Sequence, residues 1–179
     1  MNKTKKIVSL VLAVMMVMSM IVVGTVSASA LDYVAENIVS GESFTTLEAA
    51  IAAAVDGDYI MLLDDCEGNG IVVPQDKFND AGLTVDFDGN TYTVSGTPVG
   101  STGTETIGFQ LLKGNKITFQ NGTITGDCTV NPRNGKYLLR MIQNYSDLTL
   151  DGMTVSMVGA YYDQTTMATA NPYLFRISL

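Results

Sequence analysis

The sequence predicts an all-β solenoid, in which short strands wind around one core as a parallel β-helix. Three observations lead to this prediction. A phrase of alternating β-branched residues around an Asx-Gly pair occurs three times, at intervals of about 30 residues. A short Ala-rich helical segment precedes the first occurrence, and the chain stops inside a further repeat.

The first 30 residues are typical of a secretory signal peptide. Three lysines lie within the first six positions, an uncharged apolar run spans Ile7–Val23, and Ala28-Ser29-Ala30 fits a cleavage site with the cut after Ala30. An uncleaved membrane anchor is the alternative, because the apolar run is nearly long enough to span a bilayer. We expect a secreted or cell-surface protein that meets the membrane only through this segment.

Composition excludes several classes of partner. The chain has 10 basic and 18 acidic residues, a formal net charge of −8, and the signal peptide removes only basic ones. Nucleic acid and anionic lipid need basic patches, so we expect neither as a partner. The chain contains no histidine, which is the commonest general base and transition-metal ligand. No cofactor and no metal site are therefore predicted.

Residues 31–42 are a lead-in, and a capping helix is predicted at about residues 45–55. Thr45 or Thr46 can serve as the N-cap, and Glu48 lies near the N3 position of a capping box. Gly57 ends the helix, and a strand follows from about residue 59. Such a helix at the start of a solenoid would cover the open end of its core.

The three repeats carry the same residue pair at the same place. The pairs are Asp88-Gly89, Asn121-Gly122 and Asp151-Gly152, each between two alternating runs. Asx and Gly tolerate a positive φ, so these six residues are predicted to be structural corners between strands. Each period then holds three strands, and each strand pairs with its equivalent in the next coil. The alternative is a meander of ordinary hairpins in a β-sandwich.

The segments "DGDYIMLLDD" and "GLTVDFDGNTYTVSG", behind the helical segment, resemble the opening of right-handed parallel β-helix domains of the pectin-lyase-like superfamily. The resemblance is to such domains in exported surface proteins of Gram-positive bacteria, and it covers residues 43–179. It implies a right-handed solenoid of about three to four coils. It does not imply an activity, because lyases, hydrolases and adhesins share this fold.

The C-terminal phrase "YLFRISL" echoes "YLLRMIQ" in the preceding repeat, but no "LTLDG" phrase follows it. We therefore expect an incomplete last coil and a chain that is a fragment of a larger cell-surface protein. The alternative is that the final strand is simply an edge strand. An uncovered last coil would also allow self-association.

The two cysteines, Cys66 and Cys128, are predicted to be free thiols. If both occupy the same kind of corner two coils apart, their Cα atoms lie about 10 Å apart, farther than a disulfide allows. Among the loops, Tyr161 and Tyr162 are the candidate ligand-binding residues, as a platform for a sugar ring. The alternative is that both tyrosines pack over the side of the domain as loop anchors.

No catalytic constellation is visible in the sequence. Asp64-Asp65 precedes the repeats, and Arg140 and Arg176 recur at one repeat position without acidic companions at matching spacing. We therefore predict an exported, non-catalytic surface module of adhesin type, whose partners are extracellular glycans or host or neighbouring surface proteins. The alternative is the N-terminal part of a polysaccharide lyase or glycoside hydrolase with catalytic coils beyond residue 179. A pure structural spacer is the third interpretation.

Overall fold

The computed structural model describes residues 32–103, 105–127 and 137–158 with their side chains. It also describes the backbone of strands at 161–163, 168–170 and 173–177. The predicted signal peptide, with its cleavage site at Ala30, lies outside the described residues, as does Cys128.

The described residues form one helix and fourteen strands. The helix is α1 (Leu47–Ala53). The strands before the repeats are β1 (Ala35–Asn37), β2 (Glu42–Phe44), β3 (Tyr59–Leu62), β4 (Cys66–Gly68) and β5 (Ile71–Val73). The later strands are β6 (Leu83–Asp86), β7 (Thr91–Val94), β8 (Ile107–Leu111), β9 (Lys116–Gly126), β10 (Arg140–Asn144), β11 (Asp147–Val155), β12 (Tyr161–Asp163), β13 (Ala168–Ala170) and β14 (Tyr173–Ile177).

Most of these strands belong to two sheets. The larger sheet has the order β2-β1-β3-β6-β9-β7-β4, and β11 pairs with β9 beside that path. The second sheet has the order β14-β10-β8-β5 and is parallel throughout. The larger sheet is mixed, because β1 runs antiparallel to both β2 and β3. Strands β12 and β13 form a separate antiparallel pair.

The prediction of a right-handed parallel β-helix solenoid with three to four coils and an incomplete last coil is wrong. The structure has a mixed sheet and a parallel sheet instead of a repeated three-strand coil. The reason lies in the Asx-Gly pairs: β9 continues through Asn121-Gly122, and β11 continues through Asp151-Gly152. Two strands predicted on either side of a corner are thus one strand of one sheet. Residues 31–42, which were predicted to be a lead-in, contain β1, and β2 begins at Glu42. The two strands pair antiparallel.

The predicted corner positions differ in local structure. Asp88 and Gly89 have φ of 48° and 84° and lie in the turn between β6 and β7. Asn121 has φ of 57° inside β9, and Gly152 has φ of 62° inside β11. A left-handed residue within a strand bends the strand without ending it, as at a bulge. The same dipeptide therefore ends a strand in the first repeat and only bends it in the later two.

The core lies between the inner faces of the two sheets. Phe109 of the second sheet packs edge-to-face on Tyr92 and Phe119 of the larger sheet, with ring centroids 5.6 and 5.5 Å apart. Phe87 packs on Phe119 in the same way at 5.9 Å. Such pairs contribute about 0.5–1.5 kcal/mol beyond the burial of their area.

Helix α1 packs one apolar stripe on this core through the buried residues Leu47, Ala50 and Ile51. Thr46 is the N-cap, and its side chain accepts a 3.1 Å hydrogen bond from the backbone N–H of Ala49. Glu48 does not complete a capping box, because its carboxylate is bound elsewhere, as described below. With seven residues, α1 is the only helix of the described chain and is too short to cross a membrane.

Candidate functional site

The outward side of the larger sheet carries polar side chains in register from strand to strand. Each outward residue of β6 is paired with one of β9, and each of those with one of β11. One row is Tyr59, Thr84, Thr118 and Thr149, and the next is Met61, Asp86, Gln120 and Asp151. We call these two rows, together with Asn121, the polar face.

Asp86 is the centre of a hydrogen-bond network on the polar face. Its Oδ2 accepts from the Tyr59 hydroxyl and, at 2.8 Å, from Nε2 of Gln120. Its Oδ1 accepts from the backbone N–H of Asp88 at 2.9 Å and from Nδ2 of Asn121 at 3.3 Å. Nε2 of Gln120 also donates to the Tyr59 hydroxyl oxygen at 3.0 Å. The carboxylate thereby fixes the orientation of three neighbouring side chains.

The network shifts the ionisation of two of its members. Partial burial alone would raise the pKa of Asp86, but hydrogen bonds from Tyr59 and Gln120 outweigh burial and lower it. The same contact raises the pKa of Tyr59, because hydrogen bonding to Asp86 favours the protonated phenol, and burial adds to this. At neutral pH the pair is therefore a carboxylate and a neutral phenol.

Hydroxyl groups continue the outward surface beyond Asn121. One row there is Thr91, Thr123 and Thr154, and a second begins with Thr93 and Thr125. Ser156 extends the second row, since its Oγ donates to Oγ1 of Thr125 at 2.9 Å. Neighbouring strands of a sheet lie about 4.8 Å apart, so these hydroxyls form a regular array.

A second candidate site is a cavity of about 270 Å³ beside α1. Its wall combines apolar side chains with one carboxylate and one ammonium group. It is lined by Glu48, Ile51, Ala52, Gly70, Ile71, Val72, Pro74 and Lys77. An apolar cavity with a few polar groups is the usual form of a small-molecule site.

The ammonium group of Lys77 binds the C-terminal end of α1. Nζ donates to the carbonyl oxygens of Ile51 and Ala52, at 2.8 and 2.7 Å, and lies 4.9 Å from the centre of the Phe78 ring. Free carbonyl groups at a helix C-terminus attract cations. Burial lowers the pKa of Lys77, and the charge of Asp58 partly opposes this.

The carboxylate of Glu48 is bound on one side only. Its Oε1 accepts a 2.5 Å hydrogen bond from the backbone N–H of Asn69, whereas the buried Oε2 has no hydrogen-bond partner in the described part of the chain. Tyr92 lies beside it, but the Tyr92 hydroxyl donates to the carbonyl oxygen of Asn69 at 2.6 Å. Glycine at 68 leaves room for this arrangement, because a Cβ there would lie 2.2 Å from Oε1 of Glu48 and 2.5 Å from the Tyr92 hydroxyl oxygen, and both side chains would have to shift.

Cys66 is a free thiol at the start of β4, in register with Tyr92, and not at a corner as predicted. Burial raises its pKa to about 11, and the charges of Glu48, Asp65 and Asp64 add to the effect. A thiol in this state is a poor nucleophile. The prediction of a free thiol at Cys128, which lies outside the described residues, stays a prediction.

The two predicted ligand-binding tyrosines lie on β12, where Tyr161 pairs with Ala170 and Tyr162 with Thr169. Their side chains lie outside the described part, so their role as a sugar platform stays a prediction. Arg140 lies on β10, and its guanidinium donates to Oγ1 of Thr106 at 3.4 Å, while its Nε has no hydrogen-bond partner among the described residues.

Neither the Asp86 network nor the role of Lys77 was predicted from the sequence. One signal was present for the network: Asp86 and Gln120 are each the fourth residue of their alternating runs, counted from Leu83 and Ile117. Asking which outward residues share a repeat position would have brought them together. Lys77 carries no such signal, since its contact with α1 depends on how the helix packs.

Within the described ranges, no group of three or more His, Cys, Asp or Glu residues is placed to hold a metal ion. Comparisons with protein-family models, curated proteins and solved structures find no match for this chain.

Proposed function

We propose that this chain is an exported, non-catalytic surface module of adhesin type, which binds extracellular glycans through the polar face. The single observation that carries this proposal is the Asp86 network. Its carboxylate accepts hydrogen bonds from Tyr59, Gln120 and Asn121 on a solvent-accessible sheet surface. The signal-peptide pattern of the first 30 residues supports export, to the medium or to the cell surface.

The network leaves hydrogen-bonding groups free to contact the hydroxyl groups of a sugar. The amide oxygens of Gln120 and Asn121 accept no hydrogen bond from any described residue. The amide nitrogen of Gln120 already donates to Tyr59 and Asp86, whereas that of Asn121 donates only to Asp86 and has a second N–H. Asp86 orients both amides, so binding would cost little additional side-chain entropy. The threonine hydroxyls of the same rows add donors and acceptors on rigid, β-branched side chains.

The proposal is tested by binding of the full exported chain to insoluble polysaccharides. Peptidoglycan sacculi, mucin, xylan and cellulose are the probes, and the bound fraction is measured after sedimentation. We expect at least one polysaccharide to retain the wild-type chain. Gln120→Ala should weaken that binding about tenfold, which corresponds to the loss of one or two hydrogen bonds.

Gln75→Ala is the matched control, because Gln75 is exposed and bonds only to Asp76. It should bind like the wild type. The proposal fails if no polysaccharide retains the chain, or if Gln120→Ala and Gln75→Ala bind equally well. If the chain bound host or neighbouring surface proteins but none of the polysaccharides, its partner would be a protein and not a glycan.

A further inference from the structure

Strand β11 forms an open edge of the larger sheet. In the described part of the chain it pairs only with β9, along Asp147–Val155. Six of its nine residues are exposed and the other three are half-buried, so the side of β11 away from β9 is open to solvent. An exposed edge strand offers its backbone groups to a further extended chain, which can add to the sheet as one more strand.

Backbone hydrogen bonds at both ends of β11 show which groups point to the open edge. The N–H of Asp147 and that of Ser156 each donate a 2.9 Å hydrogen bond to a carbonyl oxygen in or directly before β9. Because N–H groups alternate in direction along a strand, those of Leu148 and Val155 point away from β9. An added strand would therefore meet backbone donors at both ends of β11.

The inward side of β11 is apolar and incompletely covered. Leu148 is in register with Ile117, and Leu150 is in register with Phe119. The two β9 residues are at most 2% exposed, whereas Leu150 is 39% exposed. Paired residues of neighbouring strands face the same side of a sheet, so Leu150 ends a core row that no other described strand continues. An apolar side chain on an added strand would continue that row and cover Leu150.

The outward side of the same edge is acidic. Asp147 and Asp151 are both exposed, and β11 contains no basic residue. On the β9 side, Lys116 stands in register with Asp147, and opposite charges on neighbouring strands stabilise their pairing. The net charge of −8 opposes pairing of β11 with a second copy of this chain. The charges therefore favour a partner strand with basic residues beside these two aspartates.

We propose that the open edge of β11 binds an extended segment of a partner surface protein, which adds to the larger sheet as a parallel strand. The inward residues of this segment are apolar and continue the rows of Leu148 and Leu150. Its outward residues include lysine or arginine beside Asp147 and Asp151. The proposal does not depend on glycan binding, because the edge backbone and the inward side chains lie off the polar face.

The test uses a synthetic peptide with the sequence of residues 116–126 and the change Gln120→Lys. As strand β9 this sequence already pairs in parallel with β11, with Lys116 beside Asp147, and the change adds a cation beside Asp151. A matched peptide carries glutamate at both basic positions, and a third has the basic composition in scrambled order. Calorimetric titration of the full exported chain should give a Kd of roughly 100 μM or below for the basic peptide, and binding at least about tenfold weaker for the other two.

Hydrogen exchange and an edge variant show where the peptide binds. The backbone N–H groups of Leu148 and Val155 should exchange more slowly when the basic peptide is bound. Leu150→Lys should weaken binding at least about tenfold, because an inward-pointing charge on an edge strand blocks pairing. Val39→Lys is the matched control: Val39 is 65% exposed in the turn between β1 and β2, so this variant should bind like the wild type.

Two further variants test the charges. Asp147→Asn and Asp151→Asn should each weaken binding of the basic peptide about two- to fivefold, since pairs between exposed charges are weak. Glu42→Gln, at an exposed position on β2, should not change it. Polysaccharide retention should be the same in Leu150→Lys and the wild type, which separates failure here from failure of the glycan proposal.

Four results would overturn the proposal. One is the absence of binding by the basic peptide at millimolar concentration, and another is equal binding of the basic and acidic peptides. The third is unchanged hydrogen exchange in β11 when the peptide is bound. The fourth is a dimer of the chain alone in which β11 is already protected, which would make a second copy the occupant of this edge.

Discussion

The side-chain oxygen of Asn115 accepts a 2.8 Å hydrogen bond from the backbone N–H of Phe78, which lies 37 residues earlier in the chain. The same oxygen accepts from the backbone N–H of Lys77 at 3.0 Å. Its amide nitrogen donates to the carbonyl oxygens of Pro74 and Leu112. Asn115 is only 2% exposed, so one buried amide holds the segment that positions both Phe78 in the core and Lys77 at the cavity.

Asn115→Leu should therefore destabilise the fold strongly. Buried backbone groups would lose their partners, and each such loss costs about 1–3 kcal/mol. We expect the free energy of unfolding in urea to fall by roughly 3 kcal/mol. Asn79→Ala, an exposed position in the same segment, is the control and should change it by less than about 0.5 kcal/mol. Equal stability of the two variants would contradict this role.

Asp86 should make stability depend on acid pH. Its pKa is lowered in the folded state from an ordinary value of 3.8, so the network stabilises the fold above that pH. This contribution is lost as the pH falls through the folded-state pKa. We expect the stability difference between wild type and Asp86→Asn to be constant near neutral pH and to shrink below pH 3.8.

Tyr59→Phe provides the internal check on this acid dependence. It removes one of the hydrogen bonds that lower the pKa of Asp86, so in that background the shrinkage should again begin near pH 3.8 but be smaller and end at a higher pH. Urea unfolding across the acid range measures both differences. A difference between wild type and Asp86→Asn that does not vary with pH would show that the network does not control the carboxylate.

Cys66 should react slowly with alkylating reagents. Burial raises its pKa to about 11 from an ordinary 9.0, which reduces the thiolate fraction near neutral pH roughly 100-fold. The variant Cys128→Ser isolates this thiol, and iodoacetamide labelling followed by mass spectrometry gives the rate. In urea the rate should rise to that of an ordinary cysteine. Equally fast labelling of the folded chain would contradict the burial of Cys66.

Gly122→Ala should be costly although Gly122 does not have a positive φ. A Cβ at this position would lie 2.3 Å from Cβ of Phe87 and 2.6 Å from the carbonyl oxygen of Asn90. Because both neighbours are close to the backbone, we expect a loss of roughly 1–3 kcal/mol in the free energy of unfolding. Gly41→Ala is the comparison: it has a positive φ of 74° but open space around it, so its cost is conformational only.

Export should leave a defined N-terminus. If the first 30 residues are a cleaved signal peptide, the chain recovered from the culture medium of a Gram-positive host begins at Leu31. N-terminal sequencing or intact mass gives the answer. Recovery of the uncleaved chain from membranes would favour the anchor alternative instead.

The local pattern predicted strands at Leu83, Ile117 and Leu148, and these residues do stand in register on neighbouring strands. What could not be read locally is whether Asn121-Gly122 ends a strand or bends it. That choice depends on Phe87, which packs where a side chain at 122 would stand. The position of the antiparallel strand β1 also depends on tertiary pairing, since Ala35 pairs with both Phe44 and Leu62.

The candidate sites were harder still to predict. Asp86 and Gln120 are 34 residues apart, and their contact appears only once the register of β6 and β9 is known. Glu48 was recognised as a helix-start residue, but its bond to Asn69 depends on where α1 lies against the loop after β4. Such contacts are tertiary, and no local preference of the sequence encodes them.

In the second sheet the strands lie in the order in which they are synthesised, from β5 through β8 and β10 to β14. In the larger sheet β3, β6, β9 and β11 follow the same rule. Each new strand can therefore add to one that is already in place, without waiting for a partner nearer the C-terminus. A chain that crosses a membrane N-terminus first could thus assemble progressively as it emerges. Substitutions late in the sequence would then spare the structure formed by earlier strands.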